Sequence, residues 1–208
     1  MKNTIEQLLS QVQLIPVAVI NQPNQAVPLA QALLAAGIKT IEVTLRTGAA
    51  LHAIEQIANH VPELVVGAGS VVDSDQMSAV ASAGAQYAIS PGFTEELLAI
   101  DTIPYLPGAS TAAEVMHLRS RGYFFQKFFP AESMGGLATL KAIHAPLSDV
   151  KFCPTGGITA PLSREYLAEE FIFAVGGSWF LDLHTIEQGD TDAITTQAKH
   201  ALASVNHD

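Results

Sequence analysis

The chain has 208 residues, 49% of them apolar and 14% charged, with a formal net charge of -10. That is enough apolar material for one sizeable core and too much for a disordered chain, so a single domain over residues 1–208 is expected. The acidic balance, Asp plus Glu 20 against Lys plus Arg 10, argues against a nucleic-acid partner, yet leaves an anionic small substrate open because local groups can hold one.

Cys153 is the only cysteine, which excludes an intrachain disulfide and is compatible with a reducing compartment. Glu6 comes early, and no basic region followed by a long apolar run is visible, so no secretory signal is expected. No apolar stretch is long enough to span a bilayer. The expected location is the cytoplasm, with no membrane partner.

Short β-branched or aromatic runs alternate with longer Ala/Leu-rich patterns. Residues 14–20 read as a strand, 28–36 as a helix ended by Gly37, 40–45 as a strand and 49–60 as a helix closed by Pro62. A strand over 64–68 is followed by a helix over 76–83 ended by Gly84, then a short strand over 87–90 running into Pro91-Gly92. Residues 93–101 leave room only for a short helix. The next strand, 103–106, meets Pro107-Gly108 and precedes a helix over 112–121. An aromatic strand over 124–129 leads to a helix over 137–144, a strand over 150–153 and a helix over 163–170. The last strand is expected at 171–175, with a mostly helical remainder. About eight strand–helix repeats imply a parallel sheet covered by helices, and eight suggest a closed (β/α)8 TIM barrel near the small end of that fold. An open doubly wound sheet is the structural alternative.

In such a barrel the chemistry sits where strands end. That rule sorts the lysines. Lys39 and Lys151 lie at strand starts, Lys141 in a helix, Lys2 and Lys199 near the termini. Only Lys127, in Phe124-Phe125-Gln126-Lys127-Phe128-Phe129-Pro130, lies deep in a strand and toward its end. An ammonium among phenylalanine rings is desolvated, which favours its neutral, nucleophilic form. The plainer reading is a stem packed on apolar surface with its head in water.

In strand 40–45 and just beyond, Thr40, Glu42, Thr44 and Arg46 share one face, while Ile41, Val43 and Leu45 share the other. With the apolar face against helices, the polar face projects into the barrel. Glu42 can then act as a general acid/base and Arg46 can hold a carboxylate. A solvated edge-strand face is the alternative for Glu42, and a surface charge for Arg46. Gly67-Ala68-Gly69-Ser70 ends the third strand, where glycine admits close ligand approach and Ser70 offers a hydroxyl. Thr155-Gly156-Gly157 ends the seventh strand and Gly176-Gly177-Ser178 the eighth, the two positions where such barrels build a phosphate cradle from backbone N–H groups. His52, His60, His117, His144, His184, His200 and His207 are scattered with no ligand-like spacing, so no metal is expected.

Taken together, Glu42-Val43-Thr44-Leu45-Arg46-Thr47, Gly67-Ala68-Gly69-Ser70, Ser90-Pro91-Gly92, Pro107-Gly108, Lys127-Phe128-Phe129-Pro130-Ala131-Glu132, Pro154-Thr155-Gly156-Gly157-Ile158 and Gly176-Gly177-Ser178-Trp179 resemble the KDPG/KHG aldolases. These enzymes act on 2-keto-3-deoxy-6-phosphogluconate and often on 4-hydroxy-2-oxoglutarate. The resemblance runs from about Ile15 to Trp179. It implies a (β/α)8 barrel, a homotrimer, no cofactor, and a 2-oxo acid phosphate as the small-molecule partner. It implies Lys127 as the Schiff-base lysine, Glu42 as the proton shuttle, Arg46 and Ser70 as pyruvate-binding residues and Pro91 as part of that pocket. Thr155 falls at a position linked to stereochemical control. Gly156, Gly157, Gly176, Gly177 and Ser178 fall in the phosphate loops. Ser70 stands where the family usually has Thr, keeping the hydroxyl. Residues 93–101 are shorter than usual. Leu162 replaces a common Asn, so the following helix needs another cap, for which Thr159 is the candidate. Aldolases for other 2-oxo-3-deoxy sugar acid phosphates, a phosphosugar isomerase or epimerase without covalent catalysis, and an inert oxo-acid binder remain open alternatives.

Overall fold

The computed structural model describes residues 4–9 and 11–205; Lys2 and His207 lie outside them. A helix, α1 (Thr4–Leu9), precedes β1 (Leu14–Ala18). Alternation then begins: α2 (Ala26–Ala35), β2 (Thr40–Thr44), α3 (Ala50–His60), β3 (Val65–Gly69), α4 (Ser74–Ser82) and β4 (Tyr87–Ile89). A five-residue α5 (Glu95–Ala99) occupies the short connection, followed by β5 (Tyr105–Leu106), β6 (Gly108–Ala109) and α6 (Ala112–Ser120). The lysine strand β7 (Phe125–Phe128), α7 (Gly136–His144), β8 (Lys151–Pro154), α8 (Ala160–Leu167) and β9 (Val175–Gly177) lead into α9 (Leu183–Gln188) and α10 (Thr191–Val205).

This is an α/β fold of parallel strands in two hydrogen-bonded sheets, one ordered β5-β4-β3-β2-β1-β9 and one β6-β7-β8. The break between β5 and β6 falls at Pro107, which has no N–H to give to a ladder. Its carbonyl still accepts from the Lys127 N–H at 2.9 Å. At the other end, isolated parallel bridges join Phe152 to Ile172 and Thr155 to Gly176.

Helices form where apolar residues recur on one face. In α3, Ala50, Ala53, Ile54 and Ile57 are buried, the spacing of a single helical stripe. They join a core shared with Ile41, Val43, Val66 and Ala68, the outward side chains of β2 and β3. A second, smaller cluster holds Ile5, Leu9, Ile15, Tyr87, Ile89, Leu106, Cys153 and Ala174, and draws on strands of both sheets. Burying one such Leu or Ile contributes about 1.5–3 kcal/mol.

Several expectations need correction. The strand anticipated at 171–175 lies at Val175–Gly177, because Leu14, Ile15 and Pro16 of β1 pair with Val175, Gly176 and Gly177. Phe171 and Ile172 are buried against the core, and this segment makes only the isolated bridge between Ile172 and Phe152, short of a ladder. The strand anticipated at 103–106 starts at Tyr105 and resumes beyond Pro107. The helix anticipated at 163–170 spans Ala160–Leu167, with Pro161 in its first turn where the missing N–H costs nothing. Thr159 takes the N-cap position, but its side chain makes no cap hydrogen bond.

Candidate active site

Lys127 and Glu42 meet across the molecule. The Lys127 Nζ lies 3.3 Å from Glu42 Oε1, and the two side chains are 6% and 2% exposed. Lys127 is the third residue of β7, near its end, with Nζ 5.4 Å from the centroid of the Phe129 ring. Burying either charge alone would be costly, so each is the other's condition for being there. Strand parity works as expected below them: Thr40, Glu42 and Thr44 are buried, and both threonines are satisfied. Thr40 Oγ1 donates to the Val65 carbonyl at 2.8 Å and Thr44 Oγ1 to the Ala18 carbonyl at 3.1 Å.

Arg46 departs from that pattern. The β2 ladder ends at Thr44, paired with Gly69, and the chain then turns with the Arg46 N–H on the Thr44 carbonyl at 2.8 Å. Arg46 is therefore exposed at the rim instead of inside, where its Nε donates to Ser70 Oγ at 3.3 Å. Ser70 has φ +60°, a left-handed turn that aims the loop after β3 toward Arg46. The rim thus offers a guanidinium beside a hydroxyl, fit for a carboxylate.

Pro91 is exposed, and its backbone crosses the space where Gly108, the strand partner of Lys127, would carry a side chain. Thr155 is 6% exposed, two residues beyond Cys153 on the same face, and its Oγ1 fills the place of a side chain at Gly176. The loops at Gly156–Gly157 and Gly176–Ser178 are thereby adjacent. Gly156 and Gly157 have φ +103° and +79°. The N–H groups of Gly157, Ile158, Ser178 and Trp179 donate to no backbone carbonyl among the described residues, which leaves donors for an anion. The Ala131 and Glu132 N–H groups bond the carbonyls of Thr155 and Gly156 at 2.8 and 3.1 Å, tying this loop to the end of the lysine strand. Among the described residues, no three His, Cys, Asp or Glu side chains gather into a metal-binding group.

Sequence reasoning missed what lies beneath the pair. Tyr87 is fully buried. Its ring crosses Gly67, and its hydroxyl meets Thr40 Oγ1 at 2.8 Å and the Ile41 carbonyl at 3.2 Å. Burial pushes its phenol well above the ordinary range, so it stays a neutral hydrogen-bonding group. The available signal was the alternation Gly67-x-Gly69, two inward positions without side chains that invite large neighbours.

The chain matches the family model described as KDPG and KHG aldolase over residues 5–197. It is 47% identical over 205 residues to the 2-dehydro-3-deoxy-phosphogluconate aldolase of Dickeya dadantii (strain 3937), covering 97% of this chain and 96% of that one. It is likewise 47% identical over 204 residues to the KHG/KDPG aldolase of Escherichia coli (strain K12), with the same coverage. A KDPG aldolase crystal structure from Legionella pneumophila, with pyruvate captured at low pH as a covalent carbinolamine intermediate, superposes with a TM-score of 0.90. It is 42% identical, over 93% of this chain and 96% of the other. The family match and these relatives make the chain an aldolase, a carbon–carbon lyase, and the buried lysine–carboxylate pair in a parallel α/β fold is consistent with that class. The chain belongs to the KDPG and KHG aldolase family.

Proposed function

We propose that the protein is a metal-independent class I aldolase of the Entner-Doudoroff pathway. It cleaves 2-dehydro-3-deoxy-6-phosphogluconate to pyruvate and glyceraldehyde 3-phosphate, and also 4-hydroxy-2-oxoglutarate to pyruvate and glyoxylate. The observation that carries this reading is the buried Lys127–Glu42 pair at 3.3 Å. The free Lys127 amine adds to the C2 carbonyl carbon, and the carbinolamine loses water to give an iminium. Glu42, directly or across one water, takes the C4 hydroxyl proton. The C3–C4 electrons move into the iminium, the aldehyde leaves, and an enamine remains. A proton returns to C3, and water hydrolyses the imine to free pyruvate and the amine. The iminium is the electron sink, so no divalent ion has a task here.

Arg46 and Ser70 would take the pyruvate carboxylate, Pro91 would line that pocket, and Thr155 would face the carbon being cleaved. Gly156, Gly157, Gly176, Gly177 and Ser178 would hold the phosphate. A non-covalent phosphosugar isomerase has no use for a carboxylate site at the rim. We further read residues 1–208 as one domain whose two sheets form a (β/α)8 barrel closed through Pro107 and the bridges beside Thr155. The inner cluster that draws on both sheets supports that reading. Assembly as a homotrimer and a cytoplasmic location follow from the resemblance; light scattering that returns a single-chain mass would refute the trimer.

Borohydride added with pyruvate is expected to fix a three-carbon unit on Lys127, and Lys127→Ala to abolish both trapping and cleavage. EDTA is expected to leave turnover unchanged. Activity lost to EDTA and restored by a metal, or undiminished turnover in Lys127→Ala, would overturn the reading.

A further inference from the structure

We propose that Gly69 is a positioning residue: the space left by its missing side chain is the seat of the Glu42 carboxylate. This rests on the reading of Glu42 as the proton shuttle. An ideal Cβ on Gly69 would lie 2.6 Å from Glu42 Cγ and 2.7 Å from its Cδ, with Oε1 closer still.

The register explains why the seat is there. Glu42 pairs with Gly67, while Gly69 pairs with Thr44. Glu42 therefore does not rest on its own strand partner. It leans one inward position forward, toward the strand ends where Lys127 lies. The space over Gly67 is already taken by the Tyr87 ring, whose Cδ2 would stand 2.6 Å from a Cβ there. That ring is locked by the hydrogen bonds of its hydroxyl to Thr40 and Ile41. With the lower seat filled, the upper one is what holds the carboxylate 3.3 Å from Nζ.

Gly69 has ordinary strand geometry, so alanine meets no backbone strain. The obstacle is one side chain, Glu42 from Cγ outward, and no backbone atom is among the three nearest contacts. Gly69→Ala should therefore fold and push the carboxylate out of place. A displacement near 1 Å in a reacting group can cost about 100-fold in rate.

The test separates amine chemistry from proton transfer. Gly69→Ala, Glu42→Gln, Glu42→Ala and the double variant Gly69→Ala/Glu42→Ala are compared in three measurements. These are borohydride trapping of pyruvate on Lys127, deuterium exchange from D2O into the pyruvate methyl group, and kcat for cleavage. In Gly69→Ala, trapping is expected within about threefold of the parent, with exchange and kcat down about 100-fold. Glu42→Ala removes every atom beyond Cβ and so clears the new Cβ, and the double variant should be no worse than Glu42→Ala alone. Exchange at the parent rate in Gly69→Ala, with exchange abolished in Glu42→Gln, overturns the role of Gly69. Exchange intact in Glu42→Gln overturns the underlying reading of Glu42 instead. Should Gly69→Ala lose trapping through misfolding, the double variant must regain it, and failure to do so overturns the proposal.

Discussion

Cys153 is the strand partner of Lys127, so a thiol and an amine, both potential nucleophiles, lie side by side in the interior. Their environments separate them. Burial pushes the Cys153 thiol up to about 12, against a smaller opposing pull from the Lys127 charge. The thiol is thus neutral at any working pH and inert as a nucleophile. In the unfolded chain it ionises near about 8.5, so above that pH unfolding releases a proton. Its contribution to stability is complete below about 8.5 and declines by about 1.4 kcal/mol per pH unit until the folded value is reached. Urea midpoints measured from pH 8 to 10 should fall more steeply for the parent than for Cys153→Ala, and thiol reagents should label the native protein at pH 8 only as it unfolds. Rapid labelling of the native protein at pH 8 would contradict this. At this scale the sequence was legible where one residue broke a local rule. Lys127 stood out as a charge in an aromatic strand, and Glu42 by strand parity. Arg46 was placed one position too deep, because parity assumes the strand continues and the ladder stops at Thr44. Tyr87 was not legible as a site residue, and Gly69 was read as room for a ligand and not for Glu42, since both contacts are made with another strand.

At the scale of elements, the turn after β6 is held by a reciprocal cap. The Glu114 N–H donates to Thr111 Oγ1 at 3.3 Å, and Glu114 Oε2 receives the N–H and hydroxyl of Thr111 at 2.9 Å each. It also receives the Ser110 N–H at 2.8 Å and the Ser110 hydroxyl at 3.1 Å. Burial works to raise the Glu114 carboxyl, but these hydrogen bonds outweigh it and hold it below its ordinary value. A lowered folded value means the stabilisation is present above the ordinary carboxylate range and disappears as pH falls through the folded value. Thr111→Ala is expected to cost about 1 kcal/mol at pH 7 and less at pH 3.5, read as the gap between melting curves, with kcat unchanged. A gap of the same size at both pH values would remove Glu114 from the account. Helix existence was legible in the sequence because stripes of Ala, Leu and Ile are local patterns. Strand ends were less so. Residues 171–175 look like a strand, yet the ladder with β1 begins only at Val175 and runs on through Gly176 and Gly177, while Ile172 makes a single bridge to Phe152; an apolar run alone cannot say how much of it a ladder uses.

Taken whole, the molecule has two apolar layers, one between helices and strands and a smaller one to which strands of both sheets contribute. The alternation of strand and helix made the first predictable. The second depends on α1, which no strand–helix repeat announces. Ile5 and Leu9 are 2% and 0% exposed and sit in the inner cluster with Ile15, Ile89, Leu106 and Ala174. Val65 and Phe125, the first residues of β3 and β7, pack against the same cluster, so α1 lies at the end of the strands opposite Arg46 and Ser70. The cluster reaches up to Tyr87 and Cys153, the latter beside Lys127 as its strand partner. α1 therefore covers the inner cluster from the end away from the pair and contributes to stability there. Leu9→Ala removes a fully buried side chain from this inner cluster and should cost about 2–5 kcal/mol. Chemical denaturation measures that loss. Steady-state kinetics well below the melting temperature should show kcat and KM within about twofold of the parent, since the pair is held by β2, β3 and β7 and not by α1. A variant as stable as the parent would mean that α1 does not seal this interior. One that keeps its stability but loses kcat would mean that α1 reaches the pair after all.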